Sequence, residues 1–219
     1  MINHTTDNKH ITAEEGLQLL KEGNNRFVNN ISKNRDLLQK VLETKEEQKP
    51  FAAVLSCMDS RVPAEIIFDQ GIGDIFSIRI AGNIISENVL GSLEYAVEVA
   101  GSKLIVVMGH SNCGAIKGAC DNIQLGNLTA LINKILPAIH KEKNIADNRT
   151  SSNQEFVDKV AHLNVRHSID MILQLSPVLR KHCEDNDVLI VPAMYNVATG
   201  NVYFYDDEIR GRIKYKKAV

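Results

Sequence analysis

A histidine and a cysteine stand three residues apart in the segment "GHSNCG" (109–114), directly after the apolar run "KLIVVM". A third candidate ligand, Cys57, ends another apolar run, "FAAVLSC". Two thiolates and one imidazole are a known catalytic zinc set whose fourth position stays open. No CxxC pair is present to close a purely structural site. These residue types therefore predict a zinc site formed by Cys57, His110 and Cys113.

A carboxylate and a guanidinium follow the first cysteine in "CMDSR". Asp59 could bind the metal as a fourth ligand, which would close the site, or it could pair with Arg61 and leave that position to water. Zinc lowers the pKa of such a water toward neutrality and so supplies a hydroxide nucleophile. Each motif alone has a simpler interpretation, since a buried cysteine is usually an apolar filler and Asp-x-Arg is usually a loop ion pair. Their combination favours the metal site.

The elements around these residues predict an α/β fold. Apolar runs typical of strands alternate with segments of helical spacing, which implies a mostly parallel sheet flanked by helices. The runs "DVLIVPAMYNV" and "NVYFYD" close the chain as an edge strand or hairpin. Chemistry in such sheets collects beyond the carboxyl ends of strands, and neighbouring strands lie ~5 Å apart. Cys57 and His110 both end a predicted strand, so we expect them to meet there. We expect strands at 51–57, 74–82 and 103–110. We expect helices at 86–101, around 128–143 and around 154–175.

The N-terminal part of the chain predicts a helical arm. In segment 12–29, Thr12 and Glu15 form a capping-box pattern, and apolar residues follow at helical spacing. We therefore divide the single folded unit into an arm, 1–47, that makes oligomer contacts, and a zinc-binding α/β catalytic domain, 48–219.

Composition excludes several classes of protein. The 219 residues carry a net charge of −2, which predicts neither nucleic-acid binding nor attraction to an anionic membrane. No stretch approaches the ~20 apolar residues of a membrane helix, and the N-terminus has no secretory pattern, so we expect a cytoplasmic protein. The basic terminal run "RGRIKYKK" is expected to be a solvated tail. Four scattered cysteines predict free thiols, with Cys120 in the core and Cys183 exposed.

The pair of motifs "CMDSR" and "GHSNCG" closely resembles the β-class carbonic anhydrases, whose signature is C-x-D-x-R with a later H-x-x-C. The likeness extends through "DIFSIRIAGN", "GSLEYAVEVAG" and "KLIVVMGH". It implies one zinc ion per chain on Cys57, His110 and Cys113, beside the Asp59–Arg61 dyad.

The resemblance also implies the residues that contact substrate. Gln48 matches a glutamine that donates a hydrogen bond to substrate from the partner subunit. Phe76 and Tyr95 match an aromatic lining suited to carbon dioxide, and Gly114 matches the glycine after the last ligand. Family members assemble as dimers or higher even-numbered oligomers. We therefore expect a homodimer or homotetramer with active sites at subunit interfaces, and helix 12–29 fits packing across such an interface.

Two positions depart from the family pattern. Members controlled by bicarbonate carry a tryptophan three residues before the first cysteine, where this chain has Val54. This difference favours a resting site that is open to water. Ile80 replaces an asparagine that is usual in the run "RIAGN".

The expected function is that of a zinc lyase, which reversibly hydrates carbon dioxide to bicarbonate and a proton through zinc-bound hydroxide. One alternative is hydrolysis of a related linear heterocumulene, carbon disulfide or carbonyl sulfide, on the same scaffold. The other is a non-catalytic protein that keeps zinc for stability or redox sensing. Asp59, Arg61 and Gln48 argue against that last alternative, because a structural site needs none of them.

Overall fold

The computed structural model describes residues 11–211 and contains a single five-stranded sheet. Its strands are β1 (Ala52–Ser56), β2 (Ile75–Arg79), β3 (Leu104–His110), β4 (Leu189–Tyr195) and β5 (Val202–Phe204), in the spatial order β2-β1-β3-β4-β5. The first four strands are parallel, and β5 runs antiparallel on β4 as a C-terminal hairpin. This arrangement confirms the predicted α/β fold with its mostly parallel sheet.

Helices cover both faces of this sheet. Every residue of β1, β3 and β4 is buried, as expected for parallel strands with helices on both sides. Alternate residues of a strand point to opposite faces, so each strand contributes to two apolar layers. The helices are α1 (Ala13–Val28), α2 (Leu37–Thr44), α3 (Ala64–Ile67), α4 (Glu87–Glu94), α5 (Gly114–Cys120), α6 (Gly126–Asn133), α7 (Leu136–Lys141), α8 (Gln154–Leu175) and α9 (Pro177–Glu184). One layer includes α4, α5 and α8, and the other includes α1 and α3.

Helix α1 begins at the predicted capping box. The Glu15 amide donates to Thr12 Oγ1 at 3.2 Å, and the Thr12 amide donates to Glu15 Oε2 at 2.8 Å. The expectation that its apolar face packs across a subunit interface is wrong. Leu17 and Leu20 are buried in the core of their own chain, in a cluster that contains Phe51.

Helix α2 was not anticipated from the sequence. Asp36 caps its first turn by accepting a hydrogen bond from the Gln39 amide at 2.9 Å. None of its residues is buried, and four large apolar side chains are exposed: Leu37, Leu38, Val41 and Leu42. The exposed apolar face of the arm therefore lies on α2.

Further differences from the expected elements arise at strand and helix ends, at prolines and at one cysteine. The strand expected at 74–82 ends at Arg79, and the helix expected at 86–101 is α4 followed by a π-helical segment, Tyr95–Val99. The stretch around 128–143 is divided into α6 and α7, and Pro137 lies in the first turn of α7, where its missing N–H is tolerated. Pro177 likewise begins α9, which was not expected. The prediction that Cys183 is exposed is wrong, because α9 packs this side chain against the core. Cys120 is partly buried against the same core.

The sheet order brings two strand ends together. Strand β1 pairs in parallel with β3, and Ser56 lies opposite Met108. The residues that follow these two strands therefore leave the sheet at the same edge.

Within residues 11–211 no helix is long and apolar enough to cross a membrane. Positions 1–10 of the predicted arm lie outside the described residues, as do positions 212–219, which include most of the basic run "RGRIKYKK".

Candidate metal centre and active site

The three predicted ligands converge at the carboxyl edge of the sheet. Cys57 follows β1 directly, His110 is the last residue of β3, and Cys113 is the N-cap residue of α5. Their ligand atoms all lie within 4.8 Å of one another, and the two sulfurs are 3.9 Å apart. All three side chains are buried. Residues 56 positions apart in the chain thus form one buried donor cluster.

His110 presents a free nitrogen to this cluster. Its Nδ1 lies 2.9 Å from the Ser111 carbonyl oxygen. Because a carbonyl oxygen only accepts, Nδ1 carries the proton and Nε2 keeps its lone pair. Among the described residues, the buried Nε2 has no hydrogen-bond partner. A metal ion would satisfy this nitrogen, and two sulfurs with one nitrogen are a donor set that zinc prefers.

The two thiols do not ionise independently. The hydrogen bond with Cys113 is the largest of the effects that lower the pKa of Cys57 to about 4, and it opposes the desolvation of the thiolate. His110 and the Gly82 amide, 3.3 Å from Cys57 Sγ, also lower this pKa. The same interaction raises the pKa of Cys113 above its usual range. The interaction between the two sulfurs therefore favours a thiolate at Cys57, and a negative charge there favours a cation.

Asp59 is held in a bidentate ion pair by Arg61. Arg61 Nε donates to Asp59 Oδ1 at 2.9 Å and Nη2 donates to Oδ2 at 2.7 Å, while the Arg61 amide donates to Oδ1 at 3.0 Å. The Arg61 side chain keeps the pKa of Asp59 well below its usual range. Oδ2 lies 4.0 Å from His110 Nε2. Of the two predicted arrangements, the structure has the one in which the carboxylate pairs with the guanidinium.

Arg79, for which no role was predicted from the sequence, supports the loop that carries Cys57 and Asp59. Its Nε donates to the Cys57 carbonyl oxygen at 3.2 Å and its Nη2 donates to the Asp59 carbonyl oxygen at 2.5 Å. Arg79 ends β2 opposite Ser56. The signal was an arginine within the predicted strand 74–82, but its role depends on which strand becomes the neighbour of β1.

Gly82 is a second residue beside the cluster for which no role was predicted from the sequence. It lies in the 3₁₀ turn Ala81–Asn83 with φ +68°, a conformation that favours glycine, and its amide donates to Cys57 Sγ. A Cβ atom at this position would lie 2.9 Å from Ile135 Cδ1. Ile80, which precedes the turn, is partly buried against the core.

The residues expected to contact substrate lie around two adjoining hollows. Phe76 and Tyr95 form an edge-to-face pair with ring centroids 6.2 Å apart, and both line a hollow of about 630 Å³. Tyr95, which is 49% exposed, also lines a second hollow of about 470 Å³ together with Gln48. Gly114 is the first residue of α5, and the space in front of its Cα is open.

Gln48 does not lie beside the ligands of its own chain. It precedes β1 and Cys57 follows it, and the five residues of a strand that rises ~3.3 Å per residue separate them by about 17 Å. Its side chain is exposed. Within one chain, the structure does not bring Gln48 to the cluster.

Comparison with known proteins identifies similar sequences and folds. A family model described as carbonic anhydrase matches residues 52–202. Carbonic anhydrase 2 of Mycobacterium tuberculosis is 34% identical over 195 residues, which cover 85% of this chain and 90% of the relative. A carbonic anhydrase of Mycolicibacterium smegmatis is 34% identical over 190 residues, 84% of this chain and 88% of the relative.

Solved structures of other proteins have a similar fold. One of two tetrameric β-carbonic anhydrases of the fungus Sordaria macrospora has a TM-score of 0.67 at 25% identity, covering 77% of this chain and 90% of the other. The β-carbonic anhydrase of Coccomyxa, solved with acetazolamide, has a TM-score of 0.68 at 24% identity and covers 86% of both chains. The span matched by the family model contains all three candidate ligands, together with Asp59 and Arg61.

Proposed function

Because this chain belongs to the β-class carbonic anhydrases, a family of enzymes, we propose that it catalyses the reversible hydration of carbon dioxide to bicarbonate and a proton. The observation that carries the proposal is the buried Cys57–His110–Cys113 cluster beside an Asp59 carboxylate that is held by Arg61.

We propose that Cys57 Sγ, His110 Nε2 and Cys113 Sγ hold one zinc ion per chain. The free lone pair of Nε2 and the thiolate at Cys57 support this assignment. Zinc, when bound, acts as a Lewis acid that lowers the pKa of water and so supplies a nucleophile near neutral pH. The Ser111 carbonyl fixes the tautomer of His110 that such a centre requires.

Asp59 orients the nucleophile in this proposal. Its lowered pKa keeps it ionised, so both oxygens can only accept hydrogen bonds. An attacking oxygen near Oδ2 must therefore point a hydrogen at Asp59 and keep a lone pair for carbon dioxide. Arg61 holds the carboxylate in this position and also donates to the Asn112 carbonyl oxygen at 3.3 Å. Val54 led us to expect a resting site that is open to water, and such a site requires this pairing of Asp59 with Arg61.

The substrate pocket combines apolar walls with one amide. Phe76 and Tyr95 provide an apolar lining that suits carbon dioxide, which has no dipole, and Gly114 leaves room at the start of α5. The Gln48 amide would donate a hydrogen bond to a substrate oxygen. Because Gln48 and Cys57 lie at opposite ends of β1, this contact requires a second subunit.

We therefore propose a homodimer or homotetramer with active sites at subunit interfaces. The exposed apolar face of α2 supports an interface in the arm, which we propose as the segment of oligomer contacts. The Sordaria macrospora relative is described as tetrameric. The cytoplasmic location expected from the sequence stays a prediction.

Stopped-flow measurement of carbon dioxide hydration tests the proposed activity. Zinc-loaded protein is assayed from about pH 6.5 to about pH 9, a range that brackets the ionisation expected of water on zinc. We expect activity already near neutral pH, because Asp59 is paired with Arg61. Activity only above about pH 8 would keep the enzyme but favour a resting site that Asp59 closes. Zinc bound without hydration at any pH, with turnover of carbon disulfide or carbonyl sulfide, would replace this proposal by the heterocumulene hydrolase.

A further inference from the structure

Helix α8 buries two polar side chains on an otherwise apolar face. Asn164 is 1% exposed and Ser168 is 2% exposed, and the buried residues around them on the same helix are apolar, among them Val160, Val165 and Ile169. The two positions are four residues apart, so their side chains lie on the same side of the helix. Burial of an amide and a hydroxyl is unfavourable unless hydrogen bonds compensate for lost water, so their partners identify their role.

Both side chains hold the 3₁₀ turn Ala81–Asn83. Asn164 Nδ2 donates to the Gly82 carbonyl oxygen at 2.8 Å, and Ser168 Oγ donates to the Asn83 carbonyl oxygen at 3.0 Å. Gly82 and Asn83 both have positive φ angles, +68° and +42°. The two hydrogen bonds therefore fix successive peptide groups in a backbone conformation that few residues adopt.

The same turn contacts the metal centre from its other side. The Gly82 amide donates to Cys57 Sγ at 3.3 Å, so Gly82 uses its N–H on the ligand sulfur and its carbonyl on Asn164. Cys57 is buried, and a buried thiolate depends on such donors because water cannot solvate it. Asn164 is thus connected to a candidate zinc ligand through one residue.

The oxygen of the Asn164 side-chain amide indicates that the N–H donor, and not the acceptor, explains the presence of this residue. Within the described residues, the buried Oδ1 has no hydrogen-bond partner. A buried acceptor without a partner is unfavourable, whereas a leucine of similar size at this position would avoid that cost. The helix therefore carries an asparagine for its N–H group.

We propose that Asn164 and Ser168 are positioning residues of the metal centre, which hold the Gly82 amide on Cys57 Sγ and so strengthen metal binding. This inference rests on the metal centre proposed above. Partners of this kind that orient and stabilise metal ligands typically change metal affinity about tenfold to a hundredfold.

Metal affinity of the variants Asn164→Leu and Ser168→Ala tests the proposal. Zn²⁺ affinity is measured by competition with a chromophoric chelator, and Co²⁺ is added separately to record the thiolate-to-cobalt charge-transfer band. We expect Zn²⁺ to bind about tenfold more weakly to each variant, with a shifted cobalt band. Ser168→Thr keeps the hydroxyl and should retain wild-type affinity, since Ser168 borders a hollow of about 310 Å³ that can hold a methyl group.

Asn24→Leu is the matched control. Asn24 is also a buried asparagine, and its Nδ2 donates to the carbonyl oxygens of Ile67 and Gly200, in the layer on the other face of the sheet. Its loss should lower thermal stability and leave the zinc affinity and the cobalt band unchanged. Ser168→Ala, the smaller change, keeps the test decisive if Asn164→Leu does not fold.

Two results would overturn the inference, and they differ from each other. If the α8 variants lose stability like Asn24→Leu but bind zinc as tightly as the wild type, Asn164 and Ser168 have only a structural role. If the wild-type chain itself binds neither Zn²⁺ nor Co²⁺, the proposed metal centre fails, and this inference fails with it.

Discussion

Two side chains of the candidate site, His110 and Asp59, are oriented by hydrogen bonds to groups that are not themselves candidate metal ligands. His110 Nδ1 is engaged by the Ser111 carbonyl, which leaves Nε2 free, and the Asp59 carboxylate is held on both oxygens by Arg61. These hydrogen bonds fix the orientation of the imidazole and of the carboxylate, and such preorganisation favours catalysis because little rearrangement is needed during reaction.

At this scale, the change Asp59→Asn should separate metal binding from catalysis. The amide keeps the size of the side chain but loses the ion pair with Arg61 and the acceptor-only character of the carboxylate. We expect the rate of carbon dioxide hydration to fall by about 10² or more. Zinc content, measured by atomic absorption, should stay at one ion per chain.

Asp170→Asn provides the control for this variant, because Asp170 is exposed and pairs only with Lys141 at a distance of 3.2 Å among the ion pairs of the described residues. Its rate should equal that of the wild type. Full activity of Asp59→Asn would show that the carboxylate does not orient the nucleophile.

A second prediction compares two cysteines of the same short segment. Cys113→Ser replaces a candidate ligand by a hydroxyl, which is a poor zinc ligand, and the metal content should fall to well below one ion per chain. Cys120→Ser, seven residues further along, changes a half-buried side chain outside the cluster and should retain the metal. Equal zinc content in the two variants would contradict the assignment of Cys113.

At the scale of elements, one buried carboxylate connects α1 and the segment before α2 to the loop after α3. Asp69, just after α3, has a buried side chain that accepts hydrogen bonds from Arg26 of α1 at 2.5 Å and from Arg35 at 2.6 Å. The Lys33 amide, in the connector before α2, also donates to it at 3.3 Å. Burial alone would raise the pKa of Asp69, but these donors outweigh burial and lower it.

The variant Asp69→Asn should therefore destabilise the fold in a pH-dependent way. Asparagine tolerates the positive φ of this position, 45°, so the change mainly removes charge. We expect the free energy of unfolding at neutral pH to fall by about 2–3 kcal/mol in urea denaturation.

The sign of the pH effect follows from the lowered pKa. The wild-type advantage is complete above the pKa of an unfolded aspartate, ~3.9, and is lost as the pH falls through the lower folded value. The difference between wild type and variant should thus shrink below about pH 4. Asp185→Asn, at an exposed i,i+4 pair, should change stability by less than about 0.5 kcal/mol. A difference that grows on acidification would refute this account.

Two glycines provide a second prediction at this scale, which concerns the stability of the chain. Gly82→Ala adds a Cβ at positive φ, 2.9 Å from Ile135 Cδ1, and should destabilise the chain by about 1–3 kcal/mol. Gly91→Ala adds the same atom within α4, where nothing lies within 4 Å, and should stabilise it by about 0.5–1 kcal/mol. Thermal unfolding of the two variants measures both effects, and a shift of the same sign in both would contradict the strained turn.

At the scale of the whole molecule, the exposed face of α2 should contribute to assembly. Leu38 and Leu42 are 77% and 67% exposed and lie four residues apart on the helix. The double change Leu38→Glu with Leu42→Glu should shift the mass measured by light scattering toward the monomer. Hydration activity should fall with it, because Gln48 would lose the neighbouring subunit.

Leu125→Glu is the matched control, since Leu125 is equally exposed but lies before α6. Its mass and activity should match those of the wild type. An unchanged mass of the α2 variant would place the interface elsewhere on the molecule.

The sequence by itself determined the features that depend on neighbouring residues. The capping box of Thr12, the parallel strands and the position of Cys57 and His110 at strand ends follow from short-range hydrogen bonding and apolar periodicity. Donor chemistry likewise made Cys113 a candidate ligand, through its spacing from His110 combined with Cys57 and the Asp59–Arg61 pair. The family resemblance added Phe76 and Tyr95, which the structure places side by side in the lining of one hollow.

Only the tertiary structure decided the features that depend on distant parts of the chain. The order β2-β1-β3 places Arg79 and Gly82 beside Cys57, and periodicity cannot predict which strands become neighbours. It also decided that α1 packs on its own sheet, that α2 is exposed and that Cys183 is buried. The link from Asn164 to Cys57 spans 107 residues through one turn. Such contacts form because the whole core packs together, and no local pattern encodes them.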